Sequence, residues 1–478
     1  MQKAVELVFI PSPGVGHLGS TVEIAKLLVD RDQRLSITVF IINFPNSDNS
    51  KITPTYTRSL DRIKFINLPN QSSDPKTFLT SLIESQKPHV KEVVTQSMSL
   101  PDSPKLAGFV LDMFCTSMID VANDFGVPSY IYFTSGAAFL GLMFHAQFLH
   151  DELQKPITDL KDTDTELVVP SLAKPIHAKF LPTPVLSIDW AVYLYEQTRR
   201  YRTAKGILVN TFAELESYAV NAAASSETEI PPMYPVGPIL NLDGDNYDTS
   251  KKAEIMEWLD DQPESSVVFL CFGSMGSFGE DQVKEIACAL EQSGDRFLWS
   301  LRYSPPKDKD KDKFVMPSDY DNVTDVLPEG FMDRTVGIGK VIGWAPQVAV
   351  LSHKAIGGFV SHCGWNSTLE SLWFGVPIAT WPMYSEQQFN AFQLVRELGL
   401  AVEIKMDYRK SFKTETESTM IVTAEEIERG IRCLMEYDTD IRKRVKEVSA
   451  MSRKTLMDGG SSFSSLGRFI TDVMDNIS

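Results

Sequence analysis

The chain has 478 residues, which is too long for one ordinary hydrophobic core and suits two domains of roughly 200–250 residues each. Hydrophobic residues make up 43% of the chain and charged residues 23%, which excludes the composition of a disordered protein. The formal net charge of −17 excludes a nucleic-acid backbone or an anionic membrane as a partner of the surface as a whole.

Short apolar runs alternate with helical patterns in the N-terminal part, which predicts βα units and a parallel sheet. The first helix has Val22, Ala25 and Leu28 or Val29 at the spacing of a buried face. The predicted strands are AVELVFI (4–10), SITVFII (36–42), LAGFVLDMF (106–114), SYIYF (129–133) and GILVN (206–210).

A polar stretch without apolar periodicity, residues 241–252, predicts a linker, and a second α/β series follows it. We therefore predict two doubly wound, Rossmann-like domains, 1–245 and 246–455, with a cleft at the carboxyl ends of their strands. A last helix, within 456–478, is expected to pack back on the N-terminal domain. In the second series strands are predicted at 266–274, 297–302, 339–344, 357–363 and 377–381, and helices at 280–294, 366–374, 386–398, 423–460 and 461–477.

The start of the chain lacks the features of a signal peptide, and no run reaches the roughly 18 apolar residues of a membrane span. Five cysteines occur without a C-x-x-C pair, and an odd number cannot all be bridged within one chain. Reduced thiols and a cytoplasmic protein without integral membrane association are therefore expected.

The loop PSPGVGHLGS (11–20) contains the glycine pattern G-x-G-x-x-G of a dinucleotide-binding turn. A nicotinamide enzyme would need an acidic residue at the end of the second strand, which instead ends near Asn43. A tight turn explains the glycines but does not require His17. We interpret His17 as a candidate general base, near neutral at pH 7, whose protonated form the helix N-terminus disfavours. A purely structural histidine is the alternative.

Asp112 ends the apolar run GFVLD, at the edge of the sheet where sites form in this architecture. By itself it is readily explained as a turn or cap residue. Together with His17 it predicts a base and the carboxylate that orients it.

The segment from Trp344 to Gln387 contains SHCGWNSTLE (361–370), in which a strand leads through a turn into a helix. The free N–H groups and the dipole of such a helix start suit a diphosphate. Several side chains suit the rest of a nucleotide sugar: His362, Asn366 and Ser367 as donors to phosphate, Glu370 as an acceptor from sugar hydroxyls, Trp344 as a flat face for a base, and Glu386 and Gln387 for a polyol.

A metal site is the alternative for HCGWN, but only His353 and His362 are neighbours there, so no metal is expected. Several D-x-D pairs lie in polar, turn-like or lysine-mixed stretches and are interpreted as solvated surface. These pairs are Asp162/Asp164, Asp243/Asp245, Asp308/Asp310 and Asp438/Asp440.

The 44 residues from Trp344 to Gln387 resemble the plant secondary-product signature of UDP-dependent glycosyltransferases. The resemblance extends to the histidine loop, VLDMFC, CFGSMGSF and the C-terminal helix. It implies a GT-B fold, with the donor held by the C-terminal domain and the acceptor by the N-terminal one. It also implies roles in donor binding: Trp344, Ala345 and Gln347 at uracil, Glu370 at ribose, Ser274, His362, Asn366 and Ser367 at the diphosphate, and Trp365, Glu386 and Gln387 at a hexose, with tryptophan at 365 favouring glucose.

The same resemblance implies an inverting reaction from UDP-glucose as co-substrate, with His17 as base and Asp112 behind it. No metal or redox cofactor is implied, because His362 and the helix N-terminus meet the charge of the leaving UDP. One departure is Ser20, where many relatives carry proline, which leaves the start of the first helix open.

The acceptor is less well defined by the sequence. Apolar residues of the N-terminal domain suggest a hydrophobic phenolic, flavonoid or terpenoid, although most of them also suit a core. The candidates at the acceptor are Gly16, Phe114, Phe133 and Met143. Another UDP-sugar donor, a sugar-nucleotide-binding protein without catalysis and an NAD-dependent oxidoreductase are the alternatives, and a monomer is expected from the family.

Overall fold

The computed structural model describes residues 4–44, 61–70, 78–225, 229–242, 248–303, 317–410 and 420–477. Within them lie two parallel sheets, one in the N-terminal half (up to 242) and one in the C-terminal half (from 248). The predicted linker at 241–252 and the boundary at 245 fall partly on 243–247, which lie outside the described residues.

The first sheet contains seven of the described strands in the order β3-β2-β1-β4-β5-β8-β9, all parallel. Its order reverses between β1 and β4, which is where clefts form in such sheets. A two-stranded pair, β6 and β7, lies apart from it. The strands are β1 Val5–Ile10, β2 Leu35–Ile41, β3 Ile63–Asn67, β4 Lys105–Asp112, β5 Ser129–Phe133, β6 Glu166–Leu167, β7 Ile176–His177, β8 Gly206–Val209 and β9 Met233–Pro235.

The second sheet contains six of the described strands, also parallel, in the order β12-β11-β10-β13-β14-β15. It reverses between β10 and β13, so each half has one switch point. The strands are β10 Val267–Cys271, β11 Arg296–Ser300, β12 Gly339–Ile342, β13 Ile356–Ser361, β14 Ile378–Thr380 and β15 Ala401–Glu403.

Helices cover the faces of both sheets. In the N-terminal half they are α1 Val15–Arg31, α2 Phe78–Ser85, α3 Lys87–Met98, α4 Ile119–Asp124, α5 Ala137–Asp151, α6 Thr183–Leu186, α7 Ile188–Tyr201 and α8 Ser217–Ala223. From residue 248 onward they are α9 Thr249–Asp260, α10 Glu280–Ser293, α11 Phe331–Arg334, α12 Gln347–Leu351, α13 Trp365–Phe374, α14 Gln387–Phe392, α15 Ala424–Met435, α16 Asp440–Leu456 and α17 Ser461–Asp475. None of the described helices is long and apolar enough to span a bilayer.

The predicted first helix is confirmed in position and buried face, because Val22, Ala25, Leu28 and Val29 are all buried in α1. Gly14 permits the turn before it, with a φ of 128° that disfavours a residue with a side chain. The last helix, α17, packs on the first sheet, where the Phe469 ring meets Tyr130 edge-on at 5.0 Å.

Two predicted helices differ from the structure. The stretch 423–460 forms α15 and α16 separately, because Asp438 adopts a left-handed φ of 60° and Thr439 caps a new helix. The stretch 386–398 forms α14 and then one π-helical segment, Gln393–Glu397. Strands β3, β9 and β15 were not predicted, because they are short runs at or near the sheet edges.

Candidate active site

The candidate catalytic pair lies at the switch point of the first sheet. β1 leads into α1, whose third residue is His17, and Asp112 ends the adjacent strand β4. The register pairs Ile10 with Leu111, so the two chain segments leave the sheet side by side. His17 Nδ1 lies 2.7 Å from Asp112 Oδ2, although the residues are 95 positions apart in the chain.

Further hydrogen bonds fix the Asp112 side chain, which is fully buried. Its Oδ1 accepts from Ser12 Oγ at 2.5 Å and from the backbone N–H of Phe114 at 3.1 Å. A carboxylate only accepts hydrogen bonds, so His17 donates from Nδ1 and keeps a lone pair on Nε2. Thr134 Oγ1 also lies 3.3 Å from His17 Nδ1. The imidazole is thus held in the tautomer that a general base requires.

The pKa of His17 is raised above the ordinary value for histidine. Burial lowers this pKa, but the charge and hydrogen bond of Asp112, with the charge of Glu386, outweigh burial. The opposing effect of the helix N-terminus does not set the direction of this shift, because a full carboxylate charge at 2.7 Å exceeds the partial charge of a helix end. The result is a more basic imidazole.

A cavity of about 630 Å³ lies between the two halves. On one side, residues of α1 line it, including Gly16 and Ser20. Asn366 closes part of the gap, since its Nδ2 lies 3.4 Å from the Gly16 carbonyl oxygen. Seven of the predicted donor residues line the same cavity: Ser274, Trp344, Ala345, Gln347, Asn366, Ser367 and Glu370.

These residues meet at the switch point of the second sheet. β10 and β13 are neighbours, and their register pairs Cys271 with Ser361 at the carboxyl ends. The loop with Ser274 follows β10, and α13 follows β13. From α12, Gln347 Nε2 donates to Ser367 Oγ at 2.8 Å and to Glu370 Oε2 at 2.6 Å. Hydroxyl and carboxylate oxygens are therefore fixed beside the α13 N-terminus.

Two residues that the sequence analysis missed contact Trp344, one at its backbone and one at its ring. The Trp344 backbone N–H donates to Asp319 Oδ1 at 2.9 Å, and the Arg302 guanidinium lies 4.9 Å from the ring centroid. Arg302 Nε is also 3.2 Å from Asp319 Oδ1. The signal for Arg302 was its place at the end of a predicted strand, whereas Asp319 lies in no predicted element.

His362 is buried and does not line the cavity, whose wall at this point includes Gly273. A Cβ atom on Gly273 or Gly364 would come within 2.6 Å or 2.5 Å of His362 Nε2. Within the described part of the chain, Nδ1 has no hydrogen-bond partner. Burial lowers the pKa of His362 to about 4, against a weaker hydrogen bond with the Cys271 backbone. The His362 ring is therefore neutral at pH 7, so it can meet the diphosphate charge only as an N–H donor.

The indole ring of Trp365 is not available to a hexose, so the hexose contact that the resemblance implies for this residue is left to its backbone. The residue is 3% exposed, and its Nε1 donates to the Asn210 carbonyl oxygen of the other half at 2.7 Å. The ring edge also packs on Gly136, where a Cβ atom would be 2.9 Å away. The backbone N–H of Trp365 remains, at the start of α13.

Glu386 lies beside the catalytic pair, as its effect on the pKa of His17 indicates, and Ser135 Oγ is 3.5 Å from its Oε1. Gln387 is buried, and its Oε1 accepts from the backbone N–H groups of Met383 and Tyr384 at 2.9 Å and 3.0 Å. The side-chain carbonyl of Gln387 therefore fixes the loop that carries Glu386.

The acceptor candidates divide into two groups. The Phe114 ring lies 5.8 Å from the His17 ring and stacks on Tyr193 at 6.1 Å. Phe133 and Met143 are instead buried in the apolar core of the N-terminal half, which corrects their assignment, because neither side chain has a face open to the cleft. Together with Gly16, Phe114 is the candidate that the structure brings to the site.

Polar residues directly after β5, Thr134 and Ser135, also reach the site and were missed. Their position after a predicted strand was a usable signal. Among the described residues, no three His, Cys, Asp or Glu side chains are grouped to hold one metal ion. The pairs Asp243/Asp245 and Asp308/Asp310 lie outside the described residues.

Comparisons with known proteins cover both halves of the chain. The family described as "UDP-glucoronosyl and UDP-glucosyl transferase" matches residues 230–424. A Fragaria ananassa protein named UDP-glucose flavonoid 3-O-glucosyltransferase 6 is 56% identical over 99% of each chain. A UGT transferase of Siraitia grosvenorii, solved with UDP, is 50% identical over 98% of this chain and 100% of its own, with a TM-score of 0.87. Medicago truncatula UGT71G1, solved with UDP-glucose, is 43% identical over 98% of each chain, with a TM-score of 0.86.

Proposed function

Because this chain belongs to the family of UDP-dependent glycosyltransferases and has their GT-B fold, we propose that it transfers glucose from UDP-glucose to a hydroxyl of a small hydrophobic plant metabolite. The acceptor class is a phenolic, flavonoid or terpenoid, and the product is a β-glucoside. One observation carries the proposal: the 2.7 Å contact between His17 and Asp112, next to a cavity with walls suited to a nucleotide sugar.

In the proposed reaction, Nε2 of His17 accepts the proton of the acceptor hydroxyl. The hydroxyl oxygen bonds to C1 of glucose on the face opposite the diphosphate. The bond between C1 and the diphosphate oxygen breaks, and UDP leaves with the electron pair. Asp112 stabilises the imidazolium that forms. The α-linkage of the donor thereby becomes a β-linkage.

The donor would be held by groups that already face the cavity. Trp344 offers its flat face to uracil and is oriented by Asp319 and Arg302. Gln347 and the Ala345 backbone lie beside it, and Glu370 accepts from the ribose hydroxyls.

The α13 N-terminus, together with Ser274, Asn366 and Ser367, would bind the diphosphate through N–H and O–H donors. His362 would add a neutral N–H rather than a charge. At the hexose, Glu386 is the side-chain acceptor and Trp365 contributes its backbone N–H. No metal is proposed to take part.

An aromatic surface beside the base supports a planar phenolic acceptor. Phe114 lies against His17 and stacks on Tyr193, which meets Trp190 edge-on at 5.9 Å. Trp190 is 48% exposed, so this row of rings runs from the base to the surface. Aromatic rings favour offset-stacked or edge-on contacts with another flat ring. The Fragaria ananassa relative is named for a flavonoid, and a flavonoid is a planar phenolic of this kind.

The test is a transfer assay with purified protein, UDP-glucose, EDTA and a pool of phenolic, flavonoid and terpenoid alcohols. Mass spectrometry measures hexose adducts and released UDP. We expect adducts with wild-type protein, and a rate about 10²–10⁴ times lower for His17→Ala, since that is what a general base contributes. His150→Ala is the matched control, because His150 Nδ1 also lies 2.7 Å from a carboxylate, that of Asp151, in the same half.

Three outcomes would contradict parts of the proposal. UDP binding without any UDP release favours a sugar-nucleotide-binding protein. Release of UDP only from another UDP-sugar changes the donor. Transfer that EDTA abolishes shows that a metal ion takes part.

A cytoplasmic monomer is also proposed. All five cysteines are unpaired in the structure, as a reducing compartment would keep them. Cell fractionation and light scattering of the purified protein test the compartment and the oligomeric state.

A further inference from the structure

Residues 134–138, which follow β5 and open α5, contact functional residues of both halves, and we call them the joint segment. Thr134 Oγ1 lies 3.3 Å from His17 Nδ1, and Ser135 Oγ lies 3.5 Å from Glu386 Oε1. Next, Gly136 packs against the Trp365 ring. Within three consecutive residues, the joint segment therefore contacts the base, the candidate hexose acceptor and the first residue of the diphosphate helix.

A buried carboxylate holds the joint segment in place. Glu216 is 3% exposed, and its two oxygens accept from the backbone N–H groups of Ala137 and Ala138 at 2.7 Å and 2.9 Å. These N–H groups are unsatisfied within α5 because they belong to its first turn. The positive end of the helix dipole also favours a carboxylate there. Glu216 thereby fixes where α5 begins.

The same carboxylate is bonded to the C-terminal half. Gln393 Nε2 donates to Glu216 Oε1 at 2.8 Å, and Gln393 is also 3% exposed. Gln393 begins the π-helical segment that follows α14, and π-helical turns are often found at functional sites. At its other end Glu397 accepts from the Lys174 backbone N–H at 2.8 Å. The π-helical segment is thus bonded to the N-terminal half at both ends.

We propose that Glu216 and Gln393 are positioning residues for glucose transfer. Their hydrogen bond holds the joint segment against the C-terminal half and so sets the distance from the base to the sugar carbon. This inference rests on the proposed function. Both side chains are buried and bonded to each other, so neither is open to the donor.

The physical argument concerns alignment rather than binding. Small displacements of a reacting group lower the reaction rate steeply, because the acceptor oxygen must approach C1 in line with the leaving group. If the halves shift, UDP-glucose still binds to the C-terminal half, but the acceptor is displaced. Water then competes better: its oxygen bonds to C1, the bond from C1 to the diphosphate breaks, UDP leaves with the electron pair, and a water proton passes to His17. The products of that reaction are glucose and UDP.

The test compares Gln393→Met with wild-type protein, because methionine keeps the length of the side chain and removes the N–H donor. We expect kcat for transfer to fall about tenfold, while KM for UDP-glucose changes by less than about twofold. The ratio of free glucose to glucoside should rise several-fold. A residue that only stabilises the fold would not change this ratio.

Gln282→Met is the matched control. Gln282 is equally buried, and it exchanges two hydrogen bonds with the Val422 backbone inside the C-terminal half. The Gln282→Met variant should have a lower melting temperature than wild-type protein but the same kcat and product ratio. Glu216→Gln is the second variant, should Gln393→Met fail to fold, and the same change in the ratio is expected.

Wild-type values of kcat and product ratio in folded Gln393→Met would overturn the positioning role and leave the proposed function intact. An equal change in Gln282→Met would also overturn it, since the effect would then follow from stability alone. If wild-type protein forms no glucoside with any acceptor, the proposed function fails, and this inference fails with it.

Discussion

Two turns of this molecule have the same local design and different chemistry. In each half, a parallel strand at the switch point leads through a glycine-containing turn into a helix, and a histidine lies in or next to the turn. In the N-terminal half the histidine is His17, in the first turn of α1. In the C-terminal half it is His362, directly after β13.

The two histidines differ in what faces them. His17 has the Asp112 carboxylate 2.7 Å away, and its pKa is raised. His362 has two glycines and a backbone group around it, and its pKa is lowered to about 4. Burial disfavours the charged form at both positions, so the carboxylates near His17, Asp112 above all, reverse the direction of its pKa shift. The role of each histidine follows from its partner rather than from its turn.

Removing the Asp112 charge should abolish the difference between the two histidines and cause the greatest loss of activity. Asp112→Asn should lower kcat by about 10²–10⁴, because the imidazolium loses its stabilising charge. The acid limb of the pH–rate profile should move to lower pH, since the charge of Asp112 raises the pKa of His17 and burial alone lowers it. Initial rates measured across pH test both effects. Asp151→Asn, which alters the half-buried His150 pair, should change neither. An acid limb that does not move in Asp112→Asn would contradict the assignment of His17 as the base.

Crowding the second histidine should have a smaller effect, on binding rather than on proton transfer. A Cβ atom at Gly273 would lie 2.6 Å from His362 Nε2, so Gly273→Ala should displace the ring and weaken UDP-glucose binding by about 10–100-fold, as overpacking and a lost donor cost 1–3 kcal/mol. Calorimetric titration measures the affinity.

Gly294→Ala is the control for backbone strain. Gly294 has a φ of 69°, close to the 74° of Gly273, but nothing lies within 4 Å of an added Cβ atom. Both variants should lose roughly 1–2 kcal/mol of stability to the left-handed conformation, and only Gly273→Ala should lose affinity. Equal affinity in the two variants would mean that the position of His362 does not matter for the donor.

Binding of the donor should depend very little on pH through His362. In a His17→Ala background, the Kd for UDP-glucose should change by less than about twofold between about pH 5.5 and pH 8, because a histidine with a pKa of about 4 stays neutral there. Binding that tightens as pH falls would show that His362 takes up a proton in the complex.

Much of the fold followed from local patterns. Apolar runs bounded by turns predicted the central strands of both sheets, since a strand buried on both faces is nearly continuous in apolar residues. Edge strands such as β3 were not predicted, because short, half-exposed runs lack this pattern. The break between α15 and α16 at Asp438 was not predicted either, since the amphipathic spacing continues across it.

The candidate site was predictable where a residue follows a strand, because the carboxyl ends of neighbouring parallel strands meet at one edge. His17 and Asp112 illustrate this, and Thr134 carried the same signal without being used. Orientation was not predictable. Trp365 and Gln387 both lie in the signature, yet their side chains bond to backbone groups instead of facing the cleft.

Local sequence is sufficient for the two α/β series, the strand-turn-helix units and the types of side chain placed at their ends, because these depend on neighbours in the chain. Long-range packing sets which histidine meets a carboxylate, which aromatic rings face the cleft and how Glu216 and Gln393 join the halves. Those outcomes depend on contacts between residues far apart in the chain, such as the 95 positions from His17 to Asp112 and the 177 from Glu216 to Gln393. Strand order and helix packing, rather than local preference, bring such residues together.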